Sequence, residues 1–379
     1  STEDYPSFGK KDTDVLIRAK FGDRMDNLAN KYYGDSNLWW VIAKSNVDLF
    51  DGGIFLKPGE EYRIPTDLSE SGQEFITGGG VVGSVSGGGS SAGGSSGGSA
   101  VALATGQTWL ATGSDLGCSL RTPSAFCSTV GLRPSPGRIA RGPTRLPYDN
   151  LWVQGPMARN ISDVALMLDS MVGLHPADPI SMEAPSKSFL EAIDNPVAPR
   201  RIAYSSDLNG LTPIDTEISD ICTKSVKKFS EIGVSVEEAC PDLHDAREIF
   251  EVLRANQFVG DLAPIIEKDR SKVKPEVVWN LDEGYKLTAE TLSKAERARG
   301  KLFERVTKFF DKFDLLVTPA TIVPPFDVNL RYIEEVNGYK FENYFDWYTI
   351  ASAITITSLG PGSRSMPTVP NACLLASFT

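Results

Sequence analysis

Histidine is almost missing from this chain: two residues in 379, His175 and His244, both in polar, loop-like surroundings. A Ser–His–Asp triad is hard to build from so few, and a zinc site, which draws on clustered histidines and cysteines, is not expected. Cysteine is sparse too. The five thiols (Cys118, Cys127, Cys222, Cys240, Cys373) are odd in number and lack metal-ligand spacing, so reduced thiols in an intracellular setting are expected rather than a disulfide framework. No run of 18 apolar residues occurs, which excludes a transmembrane helix and leaves no membrane partner. Positive charge is outweighed: 38 Lys and Arg against 49 Asp and Glu give a formal net charge of −11. Without a basic patch, nucleic acid is not an expected partner. The opening residues Ser1-Thr2-Glu3-Asp4 are polar and acidic, unlike a secretory signal, so the cytoplasm is the expected compartment. Neither metal nor cofactor is expected.

What the chain has in abundance is glycine, locally concentrated. From Gly78 to Gly98, 17 of 21 residues are Gly or Ser. Such a tract buries too little apolar surface to offset its ordering entropy and reads as a flexible linker; residues 68–92 are assigned to it. Past that point the pattern changes meaning. Gly93-Gly94-Ser95-Ser96-Gly97-Gly98-Ser99-Ala100 is followed by a second glycine-rich turn, Gly113-Ser114-Asp115-Leu116-Gly117-Cys118-Ser119-Leu120-Arg121-Thr122-Pro123, with Ser119 standing 24 residues after Ser95. Glycines admit positive φ and close approach of backbone to a ligand. Successive N–H groups in such a turn can hold an oxyanion. A serine there, with a second serine nearby, suggests a nucleophile and its proton relay.

These turns resemble the core of the amidase signature family. The resemblance continues through Val130-Gly131-Leu132-Arg133-Pro134-Ser135-Pro136-Gly137 and Gly155-Pro156-Met157-Ala158-Arg159, and reappears at Asp314-Leu315-Leu316-Val317-Thr318-Pro319-Ala320 and Ile354-Thr355-Ile356-Thr357-Ser358-Leu359. It implies a serine amidase with a Ser–Ser–Lys triad acting on a small-molecule amide: Ser119 as nucleophile, Ser95 as the relay serine on a cis peptide bond, and the N–H groups of Leu116, Gly117 and Cys118 as oxyanion hole. Asp115, Arg121 and Ser96 are implied to brace the loop. The family's lysine block, which precedes the relay serine, has no counterpart; Lys20, 75 residues before Ser95, has a tempting spacing, but its neighbours fit the N-terminal domain better, where it reads as a solvated strand-end lysine. After Leu359 the resemblance ends.

The region ahead of the linker, residues 1–67, reads as a small α+β domain. Val15-Leu16-Ile17 is strand-like, and Asp23 is placed to cap a helix with Met25, Leu28, Ala29 and Tyr32 at helical spacing. A second apolar helix follows from Leu38 to Ala43, then a turn at Pro58-Gly59 and a closing strand at Tyr62-Arg63-Ile64. Strand–helix–helix–strand in this span resembles a LysM module of the kind found in phage-tail baseplate proteins. That resemblance implies peptidoglycan or a baseplate protein as partner, and the virion tail as an alternative location. Trp39 and Trp40 fit a sugar platform, but in so small a domain the core is the favoured place for such a pair.

From residue 93 to 379 strands and helices alternate. A helix is expected at Asn160–Leu168 with a capping serine, Ser162, another over Asp220–Ile232 ending at Gly233, and a long charged helix over Leu287–Phe310. Short strands are expected at Arg201–Tyr204, Val234–Val236 and Leu315–Val317. This is an α/β pattern, and the family resemblance implies a mixed sheet flanked by helices. Three readings stand: a serine amidase; a structural or binding protein whose body is a remnant; and a join of two unrelated parts.

Overall fold

A computed structural model describes residues 10–20, 23–33, 39–46, 48–49, 56–66, 91–358 and 372–376. The chain divides into two units, Ser1–Val81 and Val82–Thr379.

In the first unit the elements run β1 (Val15–Arg18), α1 (Met25–Tyr33), α2 (Trp39–Ser45) and β2 (Glu61–Ile64). β1 and β2 pair antiparallel, with Val15 opposite Ile64 and Arg18 opposite Glu61. Met25, Ala29, Val41 and Ile42 from the helices bury against Tyr62 and Ile64, so the alternate residues of β2 supply the floor of the core. Buried Arg63 is neutralised by Asp14 at 2.7 Å. The Asp23 carboxylate accepts the Lys20 N–H at 2.8 Å. Lys20 itself is exposed at that turn. Trp39 and Trp40 open α2, and their side chains lie outside the described residues, as do residues 68–90 of the linker. Its last two residues are held: the Ser91 N–H donates to Phe326 O at 2.6 Å, and Ala92 packs on a core cluster.

The second unit opens with α3 (Gly97–Ala104), β3 (Leu110–Asp115), α4 (Arg121–Phe126), β4 (Val130–Gly131), β5 (Val153–Ala158) and α5 (Ile161–Met171). The strands form an antiparallel sheet in the order β3-β5-β4. Ala100, Leu103, Leu120 and Met157 pack together around it. The cap of α5 is Asn160, whose Oδ1 accepts the Asp163 N–H at 2.8 Å; Ser162, expected in that role, lies inside the helix. Asn160 holds the extended backbone that an N-cap requires, and Ser162 does not.

The rest of this unit is βα-alternating: β6 (Arg201–Tyr204), α6 (Thr216–Glu231), β7 (Ser235–Glu238), α7 (Ala246–Gln257), α8 (Pro275–Tyr285), α9 (Ala289–Phe309), β8 (Leu315–Pro319), α10 (Thr349–Ile356) and β9 (Ala372–Ala376). Its strands run parallel in the order β9-β8-β6-β7. A parallel sheet is covered on both faces, and Ile202, Ala203, Leu316 and Val317 are accordingly all at most 2% exposed. α6 begins four residues before the expected start because Asp215 caps it, accepting the Glu217 N–H at 2.8 Å. Residues 372–376, beyond the last recognised motif, supply a strand alongside β8, so that edge of β8 is paired. Antiparallel and parallel strands are both present among the described residues, in separate sheets rather than in one mixed sheet. Among the described residues no helix is long and apolar enough to cross a membrane.

Candidate functional site

The turn between β3 and α4 carries Leu116, Gly117, Cys118 and Ser119. Its carbonyls are tied down from behind. Arg133 Nη1 donates to Asp115 O. Gly117 O accepts from Arg121 Nη2 at 2.7 Å and from Thr355 Oγ1 at 3.3 Å. Cys118 O accepts the first N–H groups of α4, those of Arg121 at 3.0 Å and Thr122 at 2.9 Å. In a planar trans peptide the N–H points opposite to its C=O. The N–H groups of Leu116, Cys118 and Ser119 are therefore turned away from these anchors. Among the described residues, those of Leu116, Gly117 and Cys118 donate to nothing, and all these residues line a cavity of about 790 Å³.

The anchor is a buried charge cluster. Asp115 is fully buried. It receives Arg121 Nε and Nη2 at 2.9 Å each, a two-pronged contact, and the Leu120 N–H at 3.0 Å. Arg133 adds a second guanidinium at 3.4 Å. Burial alone would raise the Asp115 pKa, but the charges and hydrogen bonds of Arg121 and Arg133 outweigh it and hold the carboxyl below its usual range. Burial likewise pulls Arg133 down, to about 10, against the pull of Asp115. Arg121 also reaches α10, donating to Ala351 O at 2.7 Å and Thr355 Oγ1 at 2.6 Å. Asp115 and Arg121 thus hydrogen-bond to the turn, at the Leu120 N–H and the Gly117 carbonyl. Arg133 and Thr355 carry no role in the sequence reading, because nothing in their spacing shows that the fold brings them to residues 115 and 117.

The second glycine-rich turn meets the first. The Ser95 N–H donates to Ser119 Oγ at 3.3 Å, and Ser95 is exposed. Buried Ser96 bolts the turns together: its hydroxyl donates to Ser114 O at 3.2 Å and accepts the Ser114 N–H at 3.1 Å. Gly113 must lack a side chain here, since a Cβ would stand 2.8 Å from Ser96 Oγ and 2.7 Å from Leu120. The cis peptide implied at Ser95 is not present; among the described residues the cis bond is Gly142–Pro143. No lysine hydrogen-bonds to Ser95 or Ser119 among the described residues, and Lys20 belongs to the other unit.

Burial pushes the Cys118 thiol up to about 11, with Asp115 adding to it, so at neutral pH it is a packed thiol and not a thiolate nucleophile. Trp347 lines the cavity, while Trp279 packs edge-on against Tyr344 and tilted against Phe345. His244 is exposed beside Asp242, and His175 is on the surface. Among the described residues no group of three or more His, Cys, Asp or Glu is gathered as a metal site.

Gly117 is the tightest point of the turn. A Cβ there would stand 2.8 Å from Tyr348 Cε2, and Tyr348, 6% exposed and boxed by Phe250 and Trp347, has no room to withdraw. Gly117→Ala is expected to cost about 1–3 kcal/mol, read as a lower thermal denaturation midpoint. An unchanged midpoint would mean that the turn is looser than its contacts indicate.

Comparison with known proteins agrees with this geometry. The model of the Amidase family matches residues 87–368. An acylamidase of Rhodococcus erythropolis is 32% identical over 251 residues, covering 65% of this chain and 52% of that protein. The A subunit of glutamyl-tRNA(Gln) amidotransferase of Thermus thermophilus is 32% identical over 256 residues, covering 61% of this chain and 54% of that one. The chain thus spans about half the length of these curated relatives. In fold it resembles the crystal structure of a bacterial aryl acylamidase of the amidase signature family (TM-score 0.64, 24% identity, 70% of this chain and 57% of that one). It also resembles 6-aminohexanoate cyclic dimer hydrolase complexed with substrate (TM-score 0.62, 22% identity, 71% and 60%). The match runs a few residues beyond both ends of the motifs read from sequence, and the chain belongs to the amidase family.

Proposed function

We propose that this chain is a serine amidase that hydrolyses a carboxamide through an acyl-enzyme on Ser119. The observation that carries this reading is the set of unpaired N–H groups at Leu116, Gly117 and Cys118, residues that line one cavity with the Ser119 hydroxyl. Serine attacks amides only with its proton removed and the developing oxyanion stabilised. On this reading Ser119 Oγ bonds to the amide carbon and its proton passes to the Ser95 hydroxyl, which gives up its own to a base. The N–H groups of the turn hold the oxyanion. The C–N bond then breaks, the amine leaves with a returned proton, and water releases the acid from Ser119.

The test is release of amine or ammonia from simple aryl and alkyl amides by the purified full chain. Measurable turnover is expected, and no turnover on any amide would leave the body a non-catalytic scaffold. For the N-terminal unit, the order strand–helix–helix–strand with β1 and β2 antiparallel supports a LysM-like module. Co-sedimentation of the full chain with peptidoglycan tests sugar binding, and co-purification with baseplate proteins tests the tail alternative.

A further inference from the structure

Arg254, on α7, lines the same cavity as Ser119 and the turn. Its Nε donates to Asn280 Oδ1 at 3.2 Å and its Nη2 to the Tyr344 hydroxyl at 2.9 Å. Among the described residues its Nη1 donates to nothing, and no carboxylate pairs with it. The acidic residues on the cavity wall are taken: Asp261 faces Arg145 at 3.5 Å and Glu276 faces Arg331. Rings enclose the guanidinium, Phe258 at 4.7 Å and Phe345 at 5.1 Å from its carbon. A guanidinium held among aromatic rings without a counter-ion is costly unless something anionic joins it.

Two phenols stand on the same wall. The Tyr348 hydroxyl is buried with no hydrogen-bond partner, and the residue is 6% exposed. The Tyr344 hydroxyl oxygen accepts from both Arg254 Nη2 and Asn280 Nδ2, and the Tyr348 phenol lies beside it. Asn280 is fixed in that orientation because its Nδ2 also donates to Glu276 O at 2.7 Å. Two unused donors, Arg254 Nη1 and Tyr348 OH, therefore belong to residues that line this one cavity. Gln257 Oε1, on a residue of the same wall, is buried without a donor among the described residues.

We propose that this wall is a carboxylate subsite, so that the substrate carries an anionic carboxylate in addition to the amide that meets Ser119. The substrate class is the monoamide of a dicarboxylic acid. The inference rests on the serine-amidase reading. Guanidinium and phenol donors suit a carboxylate because each of its oxygens accepts more than one hydrogen bond, and the aromatic wall keeps competing water out.

The experiment pairs each acid amide with a neutral one of like shape: 4-carbamoylbenzoate with 4-methylbenzamide, and glutaramate with valeramide. The full chain is expected to favour the acid amides by about 100-fold in kcat/KM, most of it in KM, from charge-assisted hydrogen bonds. Arg254→Gln should bring the ratio close to one, with Arg254→Lys restoring part of it. Tyr348→Phe removes only an unpartnered hydroxyl and leaves the fold intact. It should weaken calorimetric binding of terephthalate, which has no amide to cleave, by about 10-fold. Hydrolysis of both classes without preference would overturn the subsite and leave the amidase reading standing. Terephthalate binding that depends on Tyr348, with no amide hydrolysed, would keep the subsite and overturn the amidase reading. Terephthalate binding unaffected by Tyr348→Phe and Arg254→Gln would make both groups merely structural.

Discussion

Replacing Ser119 by alanine should lower amide hydrolysis by about 10⁴-fold or more while leaving the protein folded. The size follows from what the residue does. Removing the atom that forms the acyl bond removes the covalent route altogether, and what remains comes from binding and oxyanion stabilisation alone. Folding should be spared because Ser119 Oγ accepts one hydrogen bond, from the half-exposed edge of the site, at 3.3 Å. Its partner Ser95 is exposed and can turn to water. The thermal midpoint should therefore stay within about 2 °C, since a surface-accessible hydrogen bond contributes roughly 1 kcal/mol at most. Retained hydrolysis in this variant would move the chemistry elsewhere.

Asp115→Asn should have the largest effect on stability. The fully buried carboxylate holds Arg121 and Arg133, whose side chains are 5% and 8% exposed. Removing its charge leaves two guanidiniums packed without it, a loss of about 3–5 kcal/mol. The sign of its pH dependence follows from the depressed pKa. A carboxyl held below its unfolded value of about 3.9 contributes stability that is fully present above that value, and the contribution is lost as pH falls through the folded pKa. Wild type and variant should then differ by a constant amount from pH 6 to 8 and converge in acid. Because Gly117 O depends on Arg121, the variant should also lose turnover beyond its loss of stability, measured well below its midpoint. Equal midpoints near neutral pH would contradict the role given to the cluster.

How much of this was legible in the sequence depended on how locally each feature is determined. The two glycine-rich turns could be read directly, because glycine spacing and serine placement are local. Asp115 and Arg121 lie six residues apart, and their partnership follows from that turn. Arg133 is different: it meets Asp115 only because β4 and β5 bring it back across β3. Arg254 sits on a helix whose pattern reads simply as amphipathic. Its missing counter-ion becomes apparent only when Asp261 and Glu276 are seen committed to other arginines. The helix starts at Ser162 and Asp220 were misjudged because a good cap must hold an extended backbone just outside the helix, as Asn160 and Asp215 do. The strand at 372–376 carries no recognised motif and is defined by its pairing to β8.

The most direct test of the central claim is to treat the full chain with phenylmethanesulfonyl fluoride and locate the adduct by peptide mass spectrometry. One sulfonyl group on Ser119, absent in Ser119→Ala and formed in step with loss of hydrolysis, is the result expected of an activated serine beside an oxyanion-binding turn. Full hydrolysis with Ser119 unlabelled, or a label on another residue that tracks the loss, would contradict it.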